Sequence, residues 1–130
     1  MKSNIPMIIQ GGMGAGVSNW RLARAVSWLG QLGVVAGTAL DEIMSRRLQD
    51  GDVEGHVRRA LEHFPFPKIA QRILEAYFIP GGRDASAPYK TSRMHTVPAS
   101  LPAQEMCIAA NFVEVFLARE GHAGPVGINF

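Results

Sequence analysis

Short apolar runs closed by glycine alternate along this chain with stretches of helical periodicity. Met7-Ile8-Ile9-Gln10 ends at Gly11, the pattern of a buried strand. From Ser18 the period lengthens: Leu22, Val26 and Leu29 recur at helical spacing. Ser18 suits the N-cap, and Gly30 stands where a helix C-terminus favours a left-handed residue. Leu32-Gly33-Val34-Val35-Ala36-Gly37 is a second short β-rich run closed by glycine. A β-α-β order within 37 residues predicts a right-handed parallel crossover, and so an α/β sheet or barrel.

The next segments are helical. Asp41 to Gln49, Val53 to His63 and Lys68 to Tyr77 are predicted helices, the last two separated by Pro65 and Pro67. Val57, Leu61 and Phe64, then Ile69, Ile73, Leu74 and Tyr77, give amphipathic faces with arginines on the solvent side. Residues 80–102 hold four prolines and two glycines, which is loop composition. That length suits a functional flap or an insertion. A last helix is predicted from near Ser100 and Pro102 to Gly121, with Met106, Ala109, Ala110, Phe112, Val113, Phe116 and Leu117 as a broad apolar face. Val126 to Phe130 closes the pattern as a third strand.

Composition narrows the class. The 130 residues, 47% of them hydrophobic, suffice for one globular domain with a core. The net charge is only +2, and the basic residues are scattered without aromatic interleaving, which argues against a nucleic-acid partner. A single cysteine, Cys107, cannot form an intrachain disulfide and suits a reducing compartment. Without a signal-peptide pattern or an uninterrupted apolar run of roughly 20 residues, a cytoplasmic location and no membrane association are expected.

The glycine loop Gly11-Gly12-Met13-Gly14-Ala15-Gly16 invites comparison with phosphate cradles. A Walker A loop requires Gly-Lys-Ser/Thr, but Gly16 is followed by Val17 and Ser18. A dinucleotide fingerprint requires G-x-G-x-x-G, whereas Gly12, Gly14 and Gly16 are spaced G-x-G-x-G, with Asp41 as a displaced candidate for the ribose acid. From the residues alone, a tight βα turn without ligand and a ligand-facing loop are equally open. Met13 as a core filler and Asn129 as a turn cap are the structural alternatives to ligand contact.

A third possibility is a flavin barrel. Ile8-Ile9-Gln10-Gly11-Gly12-Met13-Gly14-Ala15-Gly16-Val17-Ser18, Leu22-Ala23-Arg24-Ala25-Val26-Ser27 and Gly30-Gln31-Leu32-Gly33-Val34-Val35-Ala36-Gly37-Thr38 resemble the start of the nitronate monooxygenase (2-nitropropane dioxygenase) family. Asn111-Phe112-Val113-Glu114-Val115-Phe116-Leu117-Ala118 and Gly124-Pro125-Val126-Gly127-Ile128-Asn129-Phe130 extend the resemblance, which is loosest over 80–104. It implies an FMN-dependent (β/α)8 barrel that oxidises alkyl nitronates with dioxygen. Main chain around Gly11, Gly12, Met13 and Gly14 would contact the flavin, and Asn129 would hydrogen-bond it. These residues fall at C-terminal strand ends, the face on which barrels place their sites. An amide offers both donor and acceptor to a flavin's polar edge.

A full barrel needs about 250 residues. The expectation is therefore a partial TIM barrel over 1–130, about three strands with a helical insertion between the second and third. The resemblance implies that the family's catalytic histidine and flavin-phosphate loops would lie beyond Phe130, so an isolated chain would be inactive. Two alternatives accompany it. One is a flavin enoyl reductase of fatty-acid or polyketide synthesis, reduced by NAD(P)H and acting on an enoyl thioester. The other is a non-catalytic fragment completed by a partner, or self-associating, through an open sheet edge.

The remaining chemistry-bearing residues favour plain readings. His56 and His63 are seven residues apart and lack carboxylate or cysteine partners in sequence, so solvated surface positions are expected. His122 follows a helix C-terminus, where a cation is favourable, and His95 lies in the long loop. Cys107 sits on an apolar helical stretch as a packing residue. The acid pairs Asp41-Glu42 and Asp50-Asp52 flank helix ends. No sequence cluster has metal-ligand spacing.

Overall fold

The computed structural model describes residues 5–92 and 96–130. The elements run β1 (Ile9–Gln10), α1 (Trp20–Trp28), β2 (Leu32–Ala36), α2 (Leu40–Gln49), α3 (His56–Glu62), α4 (Pro67–Tyr77), α5 (Leu101–Arg119) and β3 (Val126–Asn129). This is a mixed α/β architecture with a three-stranded parallel sheet ordered β1-β2-β3. Ile9 pairs with Leu32 and Gln10 with Gly33. On the other side of β2, Gly33 to Ala36 pair with Val126 to Asn129. Two compact units form: one runs to Thr38 and resumes over Glu114–Phe130, the other is Ala39–Val113.

In the sheet unit, α1 departs from its predicted face and cap. The N-cap is Asn19, whose side chain accepts from the Arg21 and Leu22 amides at 3.0 and 3.3 Å. Ser18 is instead buried, donating from Oγ to the Val34 carbonyl at 2.8 Å. The buried stripe is Trp20, Ala23 and Ser27, while Leu22 and Leu29 stand exposed. The reason lies in the strands. A Cβ at Gly33 would sit 2.0 Å from the Ala23 carbonyl oxygen, and one at Gly124 would sit 1.9 Å from that of Ser27. Two glycines thus let the α1 backbone come down onto its neighbours, and the contact stripe consists of small side chains rather than leucines.

The run at residues 7–10, expected to be buried, is open: Met7, Ile8 and Ile9 are all exposed. β1 is an edge strand of two residues, paired on one side only, so its apolar side chains lack the second neighbour that buries a central strand.

The helical unit follows its periodicity closely. Leu48, Val57, Ala60, Leu61, Phe64, Ile73, Met106, Ala109 and Val113 are buried. α3 starts three residues later than expected, because Gly51 to Gly55 turn first and Asp52 adopts φ 41°. Asp52 accepts from the Val57 and Arg58 amides at 3.1 and 2.9 Å, capping α3 from outside it. The segment after α4 is pinned by Gln49, which is buried. Its Oε1 accepts from the Lys90 amide at 2.7 Å while its Nε2 donates to the Lys90 carbonyl at 3.0 Å. Among the described residues α5 is the helix long and apolar enough to cross a membrane, and 44% of that stretch is buried inside the fold.

Candidate functional site at the strand ends

The sheet unit gathers polar groups at the C-terminal ends of its three strands. Gln10, the last residue of β1, accepts from the Val34 amide at 3.1 Å and donates from Nε2 to Ser18 Oγ at 2.5 Å and to the Gly11 carbonyl at 2.6 Å. Its side chain thereby fixes where the glycine loop leaves the strand. Gly12 is buried against β2: a Cβ there would lie 2.6 Å from Val34 Cγ1 and 2.8 Å from the Val35 carbonyl oxygen. The loop is therefore pressed onto the sheet, and Gly12 serves close packing. The Gly11 Cβ position, by contrast, meets only Met13 Cγ, at 4.0 Å.

Asn129 joins this cluster across 117 residues of chain. Its Nδ2 donates to the Gly12 carbonyl at 3.2 Å. Its own backbone carbonyl accepts from the Gly37 amide at 2.6 Å. Met13 is 74% exposed, which overturns the core-filler alternative for it. Gly11, Gly12, Met13, Gly14 and Asn129 are thus brought to one rim, with main chain and a thioether open to solvent. The contributions of Gln10 and Ser18 were not singled out by the sequence. The one signal available was that an apolar run ends on a glutamine, whose amide needs partners for both its halves where it is taken from water.

Glu114 is a buried carboxylate, 2% exposed, whose Oε2 accepts from the Trp20 amide at 2.8 Å. It places negative charge at the N-terminus of α1, where the dipole is positive, and so holds the helix that follows the loop.

The other candidates stand apart from this rim. His56 Nδ1 contacts Glu54 at 3.0 Å, a partner the sequence reading had not assigned, and His63 Nδ1 contacts the Arg59 carbonyl at 2.9 Å. His122 Nδ1 accepts from the Gly124 amide at 3.1 Å, so its Nε2 carries the hydrogen donated to the Ala118 carbonyl at 2.7 Å. Both ring nitrogens are thus engaged where α5 ends. His95 lies outside the described residues. Cys107 is partly buried and accepts from Asn111 Nδ2 at 3.6 Å. Burial, with the Asp41 charge adding to it, pushes its thiol up, away from nucleophile chemistry. Asp41 and Glu42 occupy the first turn of α2. Among the described residues, no group of three or more His, Cys, Asp or Glu is placed to hold a metal ion.

No protein-family model, curated protein or solved structure matches the chain.

Proposed function

We propose that this chain forms part of an FMN-dependent oxidoreductase of the nitronate monooxygenase type, with the strand-end rim as one wall of the flavin site and the three parallel strands as the first part of a TIM barrel. The observation that carries this reading is the bond from Asn129 Nδ2 to the Gly12 carbonyl, which unites at one rim the two segments the resemblance assigns to the cofactor. The residues suit a flat polar ring. Gly11 presents main chain with open space around its Cβ position, and Met13 is exposed beside it. Parallel strands in sequential order, with the rim at their C-terminal ends, suit the barrel.

FMN, when bound, accepts two electrons from a nitronate and passes them to dioxygen. The protein's part is to position it. Gln10 and Ser18 hold the loop's exit, Gly12 keeps it against β2, and Asn129 supplies an amide at the rim. FMN titration followed by quenching of flavin fluorescence tests this. Saturable binding, weakened roughly tenfold by Asn129→Ala, is expected; absence of binding, or an unaffected variant, refutes it. In an intact enzyme that contains this chain, oxygen uptake with propionate nitronate, set against NADPH oxidation with an enoyl thioester, separates this activity from the enoyl reductase.

The exposed Ile5, Met7, Ile8 and Ile9 favour a second reading, in which the β1 edge takes up a further strand from a partner or another copy. Sedimentation at rising concentration tests it, and a monomer throughout, with no partner taken up, counts against it.

A further inference from the structure

We propose that the helical unit carries a binding site for a short, uncharged organic molecule with an apolar body, in a cavity bounded by the first turn of α2, the C-terminal half of α4 and the first turns of α5. The cavity measures about 220 Å³. A single water needs only about 10–15 Å³, and sites for drug-sized ligands begin near 300 Å³, so the space suits a molecule of intermediate size. It shares no residue with the strand-end rim and stands whatever that rim binds.

Its floor is core. Ile73, Ala103 and Met106 line it and are themselves buried. They give water few hydrogen-bond partners, and an apolar group that displaces such loosely held water gains affinity. The charges around the space balance. Asp41 and Glu105 bring two carboxylates and Arg72 a guanidinium, while the Lys90 ammonium donates to the carbonyl of the lining residue Ala76 at 3.0 Å and stands 5.3 Å over the Tyr77 ring. Arg72 Nη2 is bonded to Glu105 Oε1 at 2.6 Å, and Asp41 is likewise engaged. An ion of either sign would therefore give up its hydration and meet no surplus of the opposite charge. To gain a partner it would have to break the pair of Arg72 and Glu105 and leave one of them alone. An uncharged head does neither. Ser92, also on the lining, gives its hydroxyl hydrogen to Glu42, whose carboxylate is paired with Arg46 at 2.9 Å. What Ser92 can still offer a ligand is an acceptor, which suits a hydroxyl.

The test is methyl NMR of the whole chain with three probes that share one tail: hexan-1-ol, hexan-1-ammonium and hexanoate. Hexan-1-ol should shift the Ile73, Ala76, Ala103 and Met106 methyls saturably, leave those of Leu29 and Val53, exposed elsewhere, unmoved, and bind roughly tenfold tighter than either ion. High salt should not weaken it. Ala76→Phe, at an exposed position of the lining on α4, should fill the space and weaken hexanol binding roughly tenfold, with the buried Leu48 and Val57 methyls reporting an intact core. The probe comparison uses the unaltered protein and so needs no variant to fold. The proposal is overturned if either ion binds as tightly as the alcohol, if the four lining methyls move no more than those of Leu29 and Val53, or if folded Ala76→Phe binds hexanol as the parent does.

Discussion

Removing the Glu114 carboxylate should loosen α1 by an amount that can be worked from its surroundings. Trp20 is the first residue of α1, and its amide is one of the four that no helical carbonyl can serve. Glu114 Oε2 serves it at 2.8 Å, and Trp20 and Glu114 are 8% and 2% exposed, so bulk water cannot replace the lost acceptor. Glu114→Ala leaves a buried donor unsatisfied, which costs about 1–3 kcal/mol. The lost charge at the helix N-terminus adds about 0.3–1 kcal/mol, for a total of about 3 kcal/mol. Glu114→Gln keeps a carbonyl oxygen for the amide and loses only the charge, so about 1 kcal/mol is expected. Urea unfolding followed by the fluorescence of Trp20 and Trp28 reads both. With a slope of about 1–3 kcal/mol per molar, the alanine variant should unfold at least about 1 M earlier than the parent and clearly earlier than the glutamine variant. Equal midpoints for the two variants, or an alanine variant within about 0.5 kcal/mol of the parent, would refute the assignment of Glu114 as the acceptor that holds α1.

Three further outcomes are expected. Gly124→Ala drives a Cβ to 1.9 Å from the Ser27 carbonyl oxygen, whereas at Gly127 the nearest atom is at 3.6 Å; thermal unfolding should show a loss of about 2–3 kcal/mol for the first and under about 0.5 kcal/mol for the second. Ser27 Oγ is buried without a hydrogen-bond partner, so Ser27→Ala should be neutral or stabilising by about 0.5 kcal/mol in the same assay, and a loss above 1 kcal/mol would contradict it. The Ser92 hydroxyl, then Arg46, holds the Glu42 carboxyl below its usual 4.5. A folded value below the unfolded one means stabilisation that is present above pH 4.5 and lost as pH falls through the folded value. Glu42→Gln should therefore cost under about 1 kcal/mol at pH 7, and its gap to the parent should close as pH falls through the folded value.

The helical unit was the most legible part of the chain because its helices bury volume. Leu48, Leu61, Ile73 and Met106 announce their faces by size and spacing alone. α1 hid its face because it packs by backbone approach: Ala23 and Ser27 carry little hydrophobic signal, and the glycines that admit them lie on other elements. β1 misled in the opposite sense, since a run of isoleucines reads as buried wherever it stands, and only the sheet order reveals an edge. At the rim, Gly12 and Asn129 were legible as separate candidates, but nothing local shows that an amide near one end of the chain bonds a carbonyl near the other. Glu114 reaches Trp20 across 94 residues, and such nonlocal polar pairs leave no periodicity to read.

Gln10 and Gln49 each use one amide as a stand-in for a peptide unit, accepting from a backbone N–H and donating from the same group. That arrangement makes the fold sensitive to chemical ageing. Hydrolysis of either side chain to glutamate changes a single atom, yet it replaces the only donor in the group with an acceptor. At Gln49 the new oxygen would face the Lys90 and Ser45 carbonyls, turning a latch into a repulsion. At Gln10 it would face the Gly11 carbonyl. Two side-chain nitrogens thus hold contacts that no apolar packing could replace.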